Sequence, residues 1–326
     1  MSCNSPFLGI PGEMLPSGKR KINILGRYDV SMLQDYPDAV KVPCGKCSGC
    51  RAQKTREWAD RMILELDHSG TAVFLTLTYD DEHLPMYYNQ QTAETVPTLR
   101  KRDLQLFMKR LRKRKEFKGR ELRYYACGEY GSTTHRPHMH MILYNVSLDD
   151  FKDLAPRGTN ELNQPYFSSD ILAKEVWKNG FCLIAPVSWS TCAYVARYVK
   201  KKKMGLVSDE YVERMYEPEF SVMSRNPGIG MYYPVEHPDF KEKSKYYFAD
   251  QNGSVQVNFP KAFLRFLENT DLEYFMKIKE ERKIMANDIA FNRVIHTNLS
   301  GMELDGIAEK KIEKTSDLLD FYRTQV

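Results

Sequence analysis

Residues 122–146 hold two β-type runs, LRYYACGEY (122–130) and PHMHMILYNV (137–146), on either side of a Gly/Ser/Thr turn at 131–134. Runs this close, with so short a turn between them, read as paired strands and commit the stretch to a sheet. TAVFLTLTYD (71–80), β-branched and aromatic, reads as a buried strand bounded by Gly70 and the Asp80-Asp81 pair, and FCLIAPV (181–187) reads as another. Three helices are expected around them. The first covers 48–70, with Trp58, Met62 and Leu66 four residues apart and Gly70 to stop it. The second covers 98–115, with Leu104, Phe107 and Leu111 on one face. The third covers 188–205, with Ser188 or Ser190 to cap it and Gly205 to end it.

Strands and helices mingle without regular β-α-β alternation, so the expected fold class is α+β, a central and largely antiparallel sheet flanked by helices. Residues 1–43, rich in Pro and Gly, read as irregular; 223–234 reads as a loop, and at least two charged helices are expected between 260 and 326. The chain should therefore have three parts: an N-terminal cysteine-containing segment and helix (1–64), a core (65–205), and a C-terminal loop and helical extension (206–326).

At 326 residues, 42% hydrophobic and 12% aromatic, the chain can bury a sizeable core. No apolar run approaches the roughly 18 residues of a membrane span, and the first thirty residues lack the basic and apolar regions of a signal peptide. Seven cysteines without such a signal point to a reducing, cytoplasmic setting. No G-x4-G-K-[ST] loop is present, so ATP-driven unwinding is not expected of this chain. Net charge is only +5, but residues 100–123 carry twelve Lys/Arg against Asp103, Glu116 and Glu121. Such an excess suits an anionic polymer, most simply nucleic acid, with Lys109, Arg110, Arg112, Lys113 and Arg114 as its candidate contacts; a solvated helix face is the plainer alternative.

Three of the seven histidines fall within HRPHMH (135–140). Side chains alternate along a strand, so His138 and His140 share one face while Met139 and Met141 take the other. If the two strands of 122–146 pair, Glu129 comes alongside the imidazoles. Two neutral nitrogens and one carboxylate, with positions left open, suit Mg²⁺ or Mn²⁺ better than a closed zinc site. His135 is a competing ligand or a phosphate contact.

On the 188–205 helix, Cys192, Ala196, Val199 and Trp189 form an apolar seam. Tyr194, Tyr198 and Lys201 fall roughly 180–240° away from Cys192 at 100° per residue. Two phenols one turn apart, with Arg197 and Lys201 near, are candidate nucleophiles once a cation lowers the phenol's high pKa. Attack on a phosphodiester would store the bond as a phosphotyrosine, and two tyrosines would permit two attacks in alternation.

CGKCSGC places Cys44, Cys47 and Cys50 two residues apart, a metal-ligand spacing to which Cys3 could add a fourth thiolate. Structural Zn²⁺ is the favoured reading. An iron–sulfur run would want its fourth cysteine where Lys54 stands, and three reduced thiols in a tight loop is the remaining alternative.

His138-Met139-His140 followed by Tyr194-x3-Tyr198 resembles the two-tyrosine HUH endonucleases, the rolling-circle replication initiators. FLTLTYDDEHLP (74–85) is similar to their first motif, GEYGSTTHRPHMHM (128–141) to the second and YVARYVKK (194–201) to the third. The family's third motif reads Tyr-x2-Lys-Tyr-x2-Lys; here Arg197 stands at the first lysine, which keeps charge but not proton-transfer capacity. With VPCGKCSGC, RDLQLFMKRLRK and FSVMSRNPGIG, the layout over most of residues 1–235 resembles the replication initiation proteins of gokushovirus-type microviruses, small single-stranded DNA phages. The resemblance implies the HUH fold and a cation on His138, His140 and Glu129. It also implies nicking and rejoining of a single-stranded origin by Tyr194 and Tyr198 through a 5′-phosphotyrosine, with a host helicase and DNA polymerase as partners in the bacterial cytoplasm. A plasmid or transposon nuclease, or a non-catalytic DNA-binding or packaging protein, are the alternatives.

Overall fold

A computed structural model describes residues 3, 5–14, 20–29, 32, 35–90, 92–131, 134–159, 164–201, 217–243, 245–250, 253–297, 299, 303 and 307. In chain order the elements begin with β1 (Phe7–Met14), β2 (Arg20–Arg27), β3 (Val40–Val42), α1 (Ser48–Ser69) and β4 (Ala72–Tyr79). There follow β5 (Met86–Asn89), β6 (Glu94–Pro97), α2 (Lys101–Lys113), β7 (Arg123–Tyr130), β8 (Pro137–Tyr144), β9 (Leu154–Thr159) and β10 (Pro165–Ser169). A π-helical turn (Leu172–Trp177), β11 (Gly180–Pro186), α3 (Trp189–Lys201), β12 (Phe220–Met223), β13 (Lys245–Asp250), β14 (Gly253–Asn258), α4 (Lys261–Thr270) and α5 (Leu272–Thr297) complete them. Two compact units result, residues 54–266 and residues 1–53 with 267–326.

The fold is α+β. In the larger unit a seven-stranded sheet runs β12-β7-β8-β4-β11-β10-β9, every neighbouring pair antiparallel. Its outer strand, β12, comes from beyond residue 205. Alternation along β4 explains how the two faces are divided. Val73, Leu75, Leu77 and Tyr79 turn to one side and are fully buried, while Phe74, Thr76 and Thr78 turn to the other and are half-buried. The first face, with Met139 and Met141 of β8, packs against Leu104, Phe107, Met108 and Leu111 of α2 and against Trp177. Each such side chain, fully buried, is worth roughly 1.5–3 kcal/mol relative to exposure. Asp103 in the first turn of α2 takes the Tyr79 hydroxyl at 2.9 Å, so the buried carboxylate has a partner.

α1 and α3 lie on the opposite face. Tyr144 of β8 donates to the Met62 carbonyl of α1 at 3.0 Å, and Trp58 packs tilted on Tyr125 of β7. The start of α3 is capped by Ser188: its hydroxyl accepts the Thr191 amide at 3.2 Å, and the Thr191 hydroxyl accepts the Ser188 amide at 2.9 Å. The expected stop at Gly205 lies outside the described residues. The two charged helices expected near the C-terminus are α4 and α5.

The N-terminal expectation is corrected. Residues 1–43 are not irregular: β2-β1-β3 form an antiparallel three-stranded sheet. β2 is exposed almost throughout, so it carries no apolar alternation to read. Gly9, which looks like a strand breaker, is required there. A Cβ would come within 2.6 Å of Ile22 on one neighbouring strand and Val42 on the other.

Candidate active site

Register places the candidate ligands. In the β7–β8 ladder Glu129 stands opposite His138 and Cys127 opposite His140; in the β4–β8 ladder Thr78 and Thr76 stand opposite the same two histidines. Opposed residues share a face, so Glu129, His138, His140 and Thr76 converge on the side away from α2. Glu129 Oε1 lies 2.6 Å from His138 Nε2 and 3.0 Å from His140 Nε2. One ligand atom from each residue lies within 4.8 Å of the other two, close enough for a single cation to touch all three.

The ring orientations are set from behind. His138 Nδ1 lies 3.0 Å from the Arg136 carbonyl, which can only accept, so the proton sits on Nδ1 and Nε2 of the neutral ring presents its lone pair to Glu129. His140 Nδ1 is 3.0 Å from the Thr76 hydroxyl, and Phe74 stacks on the His140 ring at 5.5 Å and 10°. Burial pushes the Glu129 carboxyl up, but hydrogen bonds and charge from both imidazoles outweigh it and bring it down to about 2. At neutral pH the cluster is a carboxylate facing two ring nitrogens. That donor set fits a divalent cation with open coordination positions.

α3 brings Tyr194 to this cluster. Its hydroxyl donates to Glu129 Oε1 at 3.3 Å and lies 3.4 Å from His140 Nε2, with the ring edge-on to His140 at 5.0 Å. The seam residues Cys192 and Ala196 are buried, as the helical period required, and Val195 with them. Tyr194, however, is half-buried against the sheet rather than turned to solvent. Arg197 is exposed, and its guanidinium sits 5.1 Å from the centre of the Tyr194 ring. The backbone of α3 includes Tyr198 and Lys201; their side chains, with that of Val199, lie outside the described residues. His135 occupies the β7–β8 turn, exposed, at φ +52°, and is not one of the three converging ligands.

Comparison with known proteins bears on the same segment. Residues 72–203 match the family model for replication-associated proteins of the ORF2 type. The "Replication-associated protein VP4" of Bdellovibrio phage phiMH2K is 31% identical over 254 residues, 76% of this chain and 74% of that one. The "Replication-associated protein ORF2" of Spiroplasma virus 4 is 33% identical over 294 residues, 88% of this chain and 87% of that one. The chain belongs to the phage replication-associated proteins. No solved structure matches it.

In this replication-associated protein the family match spans β4 through α3, so every side chain of the cluster falls inside it. The basic helix does not join the cluster. α2 packs on the other face of the sheet, and much of its charge is engaged within the protein. Arg110 donates to the carbonyls of Val176 and Trp177 at 3.1 Å each, and Arg112 to that of Leu122 at 3.0 Å. Arg114 pairs with Glu175 at 2.5 Å and Glu116 at 2.8 Å. Lys109 and Lys113 are exposed.

Cys3, Cys44, Cys47 and Cys50 come together in the smaller unit, their sulfurs all within 4.8 Å of one another. Burial pushes the Cys3 and Cys50 thiols up, Cys50 to about 12. Cys127, Cys182 and Cys192 are buried thiols within core elements.

Residues missed from sequence are Thr76 and Phe74. FLTLT alternation puts both on one face, but only the β4–β8 register reveals that this is the histidine face. Among the described residues no helix is long and apolar enough to cross a membrane.

Proposed function

We propose that this protein nicks and rejoins single-stranded DNA at a phage replication origin through a 5′-phosphotyrosine, initiating and ending rolling-circle replication as an HUH-type endonuclease. The observation that carries the reading is the approach of the Tyr194 hydroxyl to Glu129 and His140, at 3.3 and 3.4 Å. A non-catalytic DNA-binding or packaging protein has no use for a phenol held there. A plasmid or transposon nuclease would share the chemistry, but the relatives are phage proteins.

Glu129, His138 and His140 would hold Mg²⁺ or Mn²⁺, which when bound polarises a phosphate oxygen and favours the phenolate. Tyr194 attacks phosphorus; the Oη–P bond forms and the P–O3′ bond breaks. Its proton is already directed at Glu129 Oε1, and the departing 3′-oxygen is protonated from solvent. Arg197, over the Tyr194 ring, adds positive charge beside the developing phenolate but cannot carry the proton. The freed 3′-hydroxyl primes a host polymerase, with a host helicase opening the duplex, in the cytoplasm of the bacterial cell. Tyr198, one turn along α3 with Lys201 beyond it, is the nucleophile for the second cleavage, after which the new 3′-hydroxyl attacks the first linkage and closes the circle. Any ion at the four cysteines belongs to the other unit and takes no part.

The test is incubation with origin-bearing single-stranded oligonucleotide and Mn²⁺, followed by mass spectrometry of DNA-linked peptides. An adduct on Tyr194 or Tyr198, absent from the His138→Ala variant, is the expected result. Tight binding of DNA with no adduct and no cleavage would overturn it.

A further inference from the structure

We infer that Cys3, Cys44, Cys47 and Cys50 form a tetrahedral zinc site whose ion organises the N-terminal sheet.

The geometry separates this site from other uses of cysteine. The Cys3 and Cys47 sulfurs lie 3.7 Å apart, far beyond a disulfide, and all four thiols are free. Four sulfurs at about 2.3 Å from one zinc form a tetrahedron with edges of about 3.8 Å, which that separation matches. The backbone is folded to receive thiolates. The amides of Lys46 and Cys47 point at the Cys44 sulfur at 3.4 and 3.3 Å, that of Cys50 at the Cys47 sulfur at 3.4 Å, and that of Cys44 at the Cys3 sulfur at 3.2 Å. A neutral thiol is a weak acceptor and gives little reason for four amides to aim at sulfur; a metal-bound thiolate does. Gly45, at φ +73°, supplies the left-handed residue that lets the chain turn between Cys44 and Cys47. A 4Fe–4S cluster would hold its four cysteine sulfurs much farther apart.

The position in the chain gives the ion its role. Cys3 lies just before β1 and Cys44 just after β3, and those strands pair antiparallel with Phe7 opposite Val42. Cys47 and Cys50 lie at the start of α1. One ion therefore closes the end of the β1–β3 ladder and ties it to the helix. β3 is three residues long and half of β1 is only partly buried, so this sheet has little apolar area of its own to close on. Small sheets of this kind commonly depend on a staple. Binding converts four thiols and Zn²⁺ to a Zn(S)₄ centre and releases four protons, so it is favoured by rising pH.

The full-length protein tests this without reference to nuclease activity. Purified without added metal, it should carry about one zinc per chain by plasma mass spectrometry, falling to near none in Cys44→Ser and Cys50→Ser and unchanged in His138→Ala/His140→Ala. Mercurial titration of the wild type should release that zinc as thiols react. Hydrogen exchange should then rise in residues 7–14 and 40–42 and stay slow in β4 and β8. The wild-type release experiment holds even if the serine variants do not fold. Iron in place of zinc, zinc that departs with the histidines rather than the cysteines, or release without loss of β1–β3 protection would each overturn the inference.

Discussion

The Thr76 hydroxyl stands 3.0 Å from His140 Nδ1, tying β4 to β8 on the face that carries both imidazoles. With Phe74 stacked on the ring, it sets the rotation that aims Nε2 at Glu129. Thr76→Val keeps the shape and removes the bond. Mn²⁺ affinity should fall by about 10–100-fold by calorimetric titration, and Thr76→Ser should restore most of it. Unchanged affinity in the valine variant would show that the hydroxyl does not orient the ligand.

Glu65 and Arg123 form an ion pair buried between α1 and β7. Glu65 also accepts the Gly230 amide at 2.6 Å, and Arg123 donates to the Pro227 carbonyl at 2.8 Å, so the pair clamps the SRNPGIG loop. Gly230, at φ +74°, has no room for a Cβ, which would meet the Arg61 carbonyl at 2.6 Å. Arg123→Met leaves an unpaired carboxylate in the core and should cost about 3–5 kcal/mol by urea denaturation; adding Glu65→Leu should recover much of that.

Asp60 gives a pH dependence with a defined sign. Burial raises its carboxyl from 3.8 to about 6, against the lowering effect of the Trp189 indole N–H. The native state therefore holds a proton that the unfolded chain releases near 3.8, and stability falls as pH rises from about 4 to 6. Asp60→Asn should be more stable than wild type by about 1–3 kcal/mol at about pH 7.5, with the gain vanishing below about pH 4. Thermal melts at the two pH values measure it; equal gains at both would exclude the titration.

The residues of α2 should divide by function. Arg110→Ala frees two buried carbonyls of their donor and should lower stability by about 1–3 kcal/mol. Lys109→Ala/Lys113→Ala should leave stability unchanged. If this face meets DNA, the double variant should also lower the slope of log affinity against log salt by about 2, read by fluorescence anisotropy.

Much of the larger unit was legible because its signals are local. The buried face of β4, the apolar stripe of α2 and the Ser188 cap of α3 are each written within a few consecutive residues, and the periods 2 and 3.6 reveal which side of an element is covered. The Glu129–His138–His140 grouping was legible for the same reason, since a short turn joins the two strands that carry it. The N-terminal sheet was not. An exposed strand such as β2 has no covered side and so no period.

From the residues alone came the α+β class, the shared face of the two histidines and the cysteine spacing, because each depends on neighbours no more than a turn or a hairpin apart. Tertiary structure alone decided that Tyr194 leans onto those histidines, that Thr76 steadies one of them, that Cys3 joins three cysteines some forty positions away, and that the basic helix covers the reverse of the sheet. Those relations depend on register and packing between distant segments, and no local period encodes where two such surfaces meet.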